Sequence, residues 1–103
     1  LNHMLLKCLW NPAACAGYHA CFEAMTQAYL DEVNWEPAAV VERRTASLLP
    51  GLFLARVDGK SPVEYIRSDG DRDRVRRCAR GLLVAPPSRL ADVLAAWKTE
   101  LNT

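Results

Sequence analysis

The 103-residue sequence lacks the features that mark several large classes of protein. No apolar stretch approaches the ~20 residues that a transmembrane helix needs. The first residues show no basic segment followed by an apolar run and a small-residue cleavage site, so we expect no signal peptide. The formal net charge is only +1, so the overall charge indicates neither a nucleic-acid-binding surface nor an acidic tail. These absences favour an ordinary globular domain.

Paired cysteine motifs are also missing. The four cysteines are Cys8, Cys15, Cys21 and Cys78, and no two of them form a C-x-x-C motif. They fall at apolar positions of predicted helices, where a reduced cysteine acts as a small hydrophobic residue. We therefore expect free thiols and a cytoplasmic location. Cys15 and His19 lie one helical turn apart, but their spacing from the other cysteines matches no common zinc template, so we predict no metal site.

The apolar residues that are present recur with helical spacing, which predicts an all-α fold of five to six helices. The chain is long enough for a single helical domain over residues 1–103, which would bury about two thirds of its unfolded surface. No stretch alternates as a strand would. The predicted helices cover residues 4–10, 12–33, 37–57, a short segment from 62, 72–84 and 89–101.

A central stretch, residues 48–66, organises these predictions. Asp58 and Gly59 indicate a turn, because glycine adopts a positive φ without steric cost. Ser61, Pro62 and Glu64 together predict a capped helix start. Pro50 lies inside the preceding apolar run, where it should kink or restart the helix.

The second helix carries two patterns. Four large apolar residues with helical spacing predict a core-facing stripe: Tyr18, Phe22, Met25 and Tyr29. Five small residues predict a close approach by another helix: Ala14, Gly17, Ala20, Ala24 and Ala28. Further along, residues 68–71 are predicted to form a turn and a cap before a helix that starts at Arg72, and Ser88 is predicted to cap the last helix.

Three segments resemble a known family. The segment LLPGLFLARVDGKSPVEYI at 48–66 and the segment DRDRVRRCARGLLVAPPSRLADVLAAW at 71–97 resemble the C-terminal end of aminoglycoside phosphotransferase-like proteins. These are kinase-fold enzymes that phosphorylate small molecules. The opening LNHMLLKCLW resembles the helix that follows the metal-binding aspartate of the family. The resemblance implies that this chain is the helical base of the larger lobe of such an enzyme.

The resemblance does not extend to a catalytic motif. Phosphoryl transfer needs a phosphate cradle, a cation for the phosphates, magnesium ligands and a base. The five glycines form no G-x-G loop, and neither histidine has an aspartate two residues on, so there is no H-x-D loop. We therefore expect no catalytic residues in this chain, no activity by itself and no cofactor of its own. ATP and Mg²⁺ are implied only for a full-length parent enzyme.

Candidate site residues come from two places. Arg56, Asp58 and Lys60 lie at the central turn, where they could contact the substrate or the other lobe of the parent. The interpretation that we favour is a salt-bridged turn that holds two helices together, because turn residues of this kind are common in helical hairpins. His3 and Lys7, one turn apart on the first helix, could face the same cleft or be structural or solvated.

Two charged clusters are interpreted as structural. Asp69, Asp71 and Asp73 form D-x-D-x-D, but Arg74 and Arg80 occupy the positions where an EF-hand loop needs Gly and Glu. Acidic residues at a helix N-terminus are favoured by the helix dipole. The arginines that follow them belong to an amphipathic helix with no aromatic residue on its basic face, which makes nucleic acid an improbable partner.

Two hypotheses about function remain. The first is the C-terminal helical portion of a small-molecule phosphotransferase, whose partner would be the N-terminal part of the parent protein. The second is a free-standing helical interaction module that could form a homodimer. In both cases we expect an exposed apolar patch on the first helix, made by Met4, Leu5, Leu6, Leu9 and Trp10.

Overall fold

The computed structural model describes residues 1–60 and 62–102, and within these ranges it contains helices and no strand. The prediction of an all-α fold is therefore confirmed. The elements in chain order are α1 (Asn2–Trp10), a 3₁₀ turn (Pro12–Ala14), α2 (Cys15–Glu32), α3 (Ala38–Asp58), α4 (Asp69–Val84) and α5 (Leu90–Leu101). Among the described residues, no helix combines the length and the apolar character needed to cross a bilayer.

The hydrophobic core lies between α1, α3, α4 and α5. At its centre the rings of Phe53 and Trp97 meet edge to face, with centroids 5.6 Å apart, and both side chains are fully buried. Leu5 and Leu6 of α1 close one side of this pair. Phe22 is the one α2 residue in the core cluster, so α2 is the least integrated helix of the bundle.

Two of the four residues predicted to form the core-facing stripe of α2 are exposed instead. Phe22 is buried and Tyr18 is half-buried, but Met25 and Tyr29 are 46% and 49% exposed. The helix presents His19 and Phe22 to the bundle instead. Helical spacing identifies which residues share a face, but several faces of α2 are apolar, so spacing could not decide which face is buried.

The helix ends confirm one predicted cap, correct another and move the starts of two helices. The Ser68 hydroxyl accepts a hydrogen bond of 3.1 Å from the Asp71 amide, so the cap predicted within residues 68–71 is confirmed, but α4 begins at Asp69 and not at Arg72. The start of α5 is different: the Leu90 amide donates to the Glu42 carboxylate of α3 at 2.9 Å, where Ser88 was expected to cap the helix. The second helix begins with the 3₁₀ turn at Pro12, and α2 proper starts at Cys15.

The connection between α3 and α4 corrects the short helix predicted from Pro62. Residues 62–68 form turns and irregular structure, and the predicted cap Ser61 lies outside the described residues. The Val63 amide donates instead to the Arg56 carbonyl at 2.9 Å, and Ile66 is buried in the core. These contacts bring the segment back against α3, and it forms a turn at Glu64 and Tyr65 instead of a helix.

Two predictions about the backbone of α3 have different outcomes: the restart at Pro50 is excluded, and the positive φ at Gly59 is corrected. The helix runs from Ala38 to Asp58 through the buried Pro50, so it does not restart there. Packing of the flanking Leu49 and Phe53 against the core holds the helix on both sides of the proline. Gly59 ends α3 with φ −82°, not the positive φ that was expected.

Candidate functional site

The predicted site residues divide into two groups. His3, Lys7 and Arg56 lie close together near Tyr65, at the end of the bundle where α1 meets the α3–α4 connection. His3 Nδ1 and the Tyr65 hydroxyl form a hydrogen bond of 2.7 Å, and the two rings meet edge to face. Burial, and then the nearby charges of Arg56, the N-terminus and Lys7, lower the pKa of His3. This cluster therefore pairs a neutral imidazole with two cations at neutral pH.

A shallow cleft of about 340 Å³ opens beside this cluster. Its lining is formed by Lys7, Trp10, Glu64, Tyr65 and Arg67. Burial raises the pKa of Tyr65, so the hydroxyl keeps its proton. Arg56 Nε is buried and has no hydrogen-bond partner among the described residues. The cleft combines cations, two aromatic side chains and a carboxylate, which suits contact with a polar surface better than a chemical step.

Asp58 lies in a different place, on the side of α3 that faces α4. Its carboxylate accepts three hydrogen bonds from the Arg76 guanidinium, at 2.7, 3.0 and 3.2 Å. The hydrogen bonds from Arg76 lower the pKa of Asp58. Lys60 is exposed beyond the end of α3. Asp58 therefore has the structural role: it forms an ion pair with Arg76 that joins α3 to α4.

Several of the acidic and basic residues of α4 form ion pairs within the helix or with α3 and α5. Arg72 contacts Asp69 at 3.0 Å and Arg76 contacts Asp73 at 2.7 Å, each within α4. Arg77 contacts Glu100 of α5 at 2.8 Å. Exposed pairs of this kind contribute little to stability, but they neutralise much of the basic surface and use two of the three carboxylates of the D-x-D-x-D motif.

One face of α2 carries exposed residues without a charge. We call it the outward face of α2 and define it by Gly17, Ala20, Cys21, Ala24, Met25, Ala28 and Tyr29, all of which are exposed. Trp35, which is 61% exposed, extends it beyond the helix and meets Tyr29 edge to face at 6.4 Å. Seven adjoining residues without a charge, next to an exposed tryptophan, are typical of a surface that another protein segment covers.

The first helix does not offer such a surface. Leu5 and Leu6 have no exposed area, Met4 and Leu9 are half-buried against the core, and only Trp10, at 56%, is strongly exposed. The apolar patch expected on α1 is therefore mostly covered by the chain itself. Of the other large apolar side chains that are strongly exposed, Met25 and Tyr29 lie on the outward face of α2 and Trp35 lies beside it. The remaining ones lie on α3 and α4: Val40, Leu48, Leu83 and Val84.

A cluster of two thiols and one imidazole lies at the corner between α1 and α2. Cys8 Sγ and Cys15 Sγ each lie 3.4 Å from His19 Nε2. The three potential ligand atoms all lie within 4.8 Å of one another. Cys8 and His19 are buried and Cys15 is half-buried, whereas Cys21 is exposed on the opposite side of α2.

Burial dominates the electrostatics of this cluster. It raises the pKa of Cys8 to about 12, with a further contribution from Cys15. It also lowers the pKa of His19, and the nearby Lys98 acts in the same direction while Glu23 opposes it. Without a bound cation, the Cys8 thiol and the His19 imidazole are therefore neutral at pH 7.

Sequence reasoning considered these residues but predicted no site, since the spacing C-x₆-C-x₃-H resembles no common template. The i, i+4 pair of Cys15 and His19 was visible in the sequence. The return of α1 onto α2, which adds Cys8, was not. Comparison of the chain with protein-family models, curated proteins and solved structures found no match in any of the three.

Proposed function

We propose that this chain is the C-terminal helical portion of a small-molecule phosphotransferase of the aminoglycoside phosphotransferase-like type. In this role it forms the base of the larger lobe, on which the nucleotide-binding and catalytic parts sit. The observation that carries the proposal is the sequence resemblance of residues 48–66 and 71–97 to the end of that family. The whole enzyme would use ATP and Mg²⁺, and this chain would contribute no catalytic residue.

The packing supports treating the resembling segments as one unit. Phe53 comes from the first segment, Trp97 from the second, and Leu5 from the opening helix, and all three are fully buried in the same core. A supporting part of a lobe needs such a core of its own, because it must hold its shape while other elements dock on it.

The outward face of α2 supports a second step of the proposal, a docking role. Its small residues permit close approach of another backbone, and its lack of charge removes the desolvation cost that charged groups would impose. Interfaces that are permanent are more apolar than transient ones. We therefore assign this face to the remaining part of the larger lobe, with Met25, Tyr29 and Trp35 as the anchoring side chains.

The same face favours one alternative. A helix face rich in glycine and alanine is complementary to itself, so two copies of the chain could pack through α2 as a symmetric dimer. In that case the chain would be a free-standing interaction module. The two proposals differ in what covers α2 and in whether a catalytic part exists.

The deciding experiment begins with the gene that encodes this chain. We expect the codons before Leu1 to specify a His-x-Asp loop followed by a further aspartate. The polypeptide with those residues should release ADP in the presence of ATP, Mg²⁺ and a member of an aminoglycoside panel, and residues 1–103 alone should not. ATP turnover by residues 1–103 alone, or an upstream region without these motifs, would overturn the proposal. If the upstream region lacks these motifs and the chain forms a reversible dimer in sedimentation velocity, the interaction module would be supported.

A further inference from the structure

The cluster of Cys8, Cys15 and His19 has the composition of a site for a soft divalent cation. Thiolate sulfur and imidazole nitrogen are the ligands that zinc prefers in proteins. Here two sulfurs and one ring nitrogen converge from two helices on the same small volume. The exposed Cys21, four residues from Gly17 on the outward face, takes no part in this convergence.

The distances fit tetrahedral coordination. With Zn–S near 2.3 Å and Zn–N near 2.05 Å, two ligand atoms of a tetrahedron are about 3.6 Å apart for sulfur and nitrogen and about 3.8 Å apart for two sulfurs. The two sulfur-to-nitrogen distances are both 3.4 Å, and the two sulfurs lie within 4.8 Å of each other. Shifts of a few tenths of an ångström would bring all three atoms to bonding distance of one ion.

Hydrogen bonds account for only part of this arrangement: the Cys8 thiol can donate its one hydrogen to the Cys15 carbonyl, 3.9 Å away, but not to His19 as well. Each nitrogen of a neutral imidazole either carries one hydrogen or offers one lone pair, so His19 Nε2 can form one good hydrogen bond. Two sulfurs nevertheless approach it at the same distance. A cation between the three atoms would bind the nitrogen lone pair and both sulfurs at once.

The site also has an entry path and room for a fourth ligand. A cavity of about 230 Å³ reaches both cysteines, with Asp71 and Arg74 of α4 on its wall. The cavity can hold water, which completes the coordination of zinc when a protein supplies three ligands.

We propose that Cys8, Cys15 and His19 bind one Zn²⁺ ion, which joins the end of α1 to the start of α2. Both cysteines would bind as thiolates and would release their protons to solvent as the ion enters. The proposal does not depend on the phosphotransferase assignment. It explains how α2, which contributes one side chain to the apolar core, is held at its first turn.

Cobalt(II) titration of the reduced, metal-free chain tests the site directly. We expect one equivalent of Co²⁺ to produce thiolate-to-metal charge-transfer absorption and the intense visible bands of tetrahedral cobalt, and one equivalent of Zn²⁺ to abolish both. Cys8→Ser, Cys15→Ser and His19→Gln should each weaken binding at least tenfold, since changes in outer-shell partners alone cost roughly 10–100-fold. Cys21→Ser and His3→Gln are matched controls and should leave the titration unchanged.

A second measurement does not depend on the variants folding. In the wild-type chain, Zn²⁺ should slow alkylation of Cys8 and Cys15, read by mass spectrometry, and leave the rate at Cys21 unchanged. Absence of a charge-transfer band, or equal alkylation of Cys8 and Cys15 with and without Zn²⁺, would overturn the proposal. Loss of the band in Cys21→Ser would also overturn it, because the ion would then be held elsewhere.

Discussion

The indole Nε1 of Trp97 donates a hydrogen bond of 2.9 Å to the backbone carbonyl of Leu5. This buried contact joins the last helix to the first, across 92 positions of the chain. Both residues are fully buried, and the Trp97 ring also packs on Phe53. One side chain thus connects α1, α3 and α5.

Truncation of Trp97 should therefore be among the most destabilising single changes in this chain. We expect Trp97→Ala to lower the free energy of unfolding by ~3–5 kcal/mol, as for other large core truncations. Trp97→Phe keeps most of the ring volume and loses the hydrogen bond, at a cost of about 1–3 kcal/mol. Urea denaturation measures both values. Trp35→Ala, at an exposed tryptophan, is the control, and a loss below ~1 kcal/mol in Trp97→Ala would contradict our core assignment.

Gly59 should not tolerate a side chain, although its φ is ordinary. A Cβ atom at this position would overlap the carbonyl oxygen of Ala55, which is backbone and cannot rotate away. The same oxygen accepts the hydrogen bond from the Gly59 amide that ends α3. We expect Gly59→Ala to lower the thermal midpoint. Gly81→Ala, inside α4 and with open space at its Cβ position, should raise stability by roughly 0.5–1 kcal/mol, and equal effects of the two changes would refute the steric argument.

The Asp58–Arg76 pair should make stability depend on pH in the acid range. Arg76 lowers the folded-state pKa of Asp58, so the unfolded chain takes up the proton first as the pH falls. The stabilising contribution is then present above the ordinary pKa, about 3.9, and is lost as the pH falls through the lower folded value. Thermal melts between pH 7 and pH 2 should show a smaller acid-induced loss for Asp58→Asn than for the wild type. Asp31→Asn, whose carboxylate accepts a bond from Gln27, is a suitable control, and identical acid curves for wild type and Asp58→Asn would argue against this coupling.

The outward face of α2 can be tested with a charge. Met25→Glu should leave the stability of the isolated chain within about 0.5 kcal/mol, because the side chain is already exposed. The same change should impair docking. In the longer enzyme this would lower the activity or the thermal midpoint, and in a homodimer it would cause dissociation. Val84→Glu, at an 86% exposed position on α4, is the matched control. An unaffected enzyme and an unaffected association state would show that this face is not an interface.

Several features were predictable because their causes are local. Ser68 caps α4 through a bond to a residue three positions on. The apolar period of the sequence predicts that five residues of this helix face the core: Val75, Cys78, Ala79, Leu82 and Leu83. The first four are buried and Leu83 is 46% exposed, so the contrast between an apolar and a charged side identified most of the buried face. The all-helical class followed from the same kind of pattern.

Other features were not predictable because they depend on distant partners. Glu42 caps α5 from 48 positions away, and Arg76 reaches Asp58 across 18. The turn after α3 returns along that helix because Val63 binds the Arg56 carbonyl. The local sequence pattern around each residue does not show which of these contacts will form.

The sequence by itself determined that this chain is helical, where most of its helices lie and which face of α4 is buried. It did so because backbone hydrogen bonds within a helix and the 3.6-residue period depend only on near neighbours. The tertiary structure alone decided that α2 turns Met25 and Tyr29 outward and that Cys8 meets Cys15 and His19. Those outcomes depend on how whole helices pack together in one core. Because α2 is apolar on several sides, its packing against the other helices decides which side is buried.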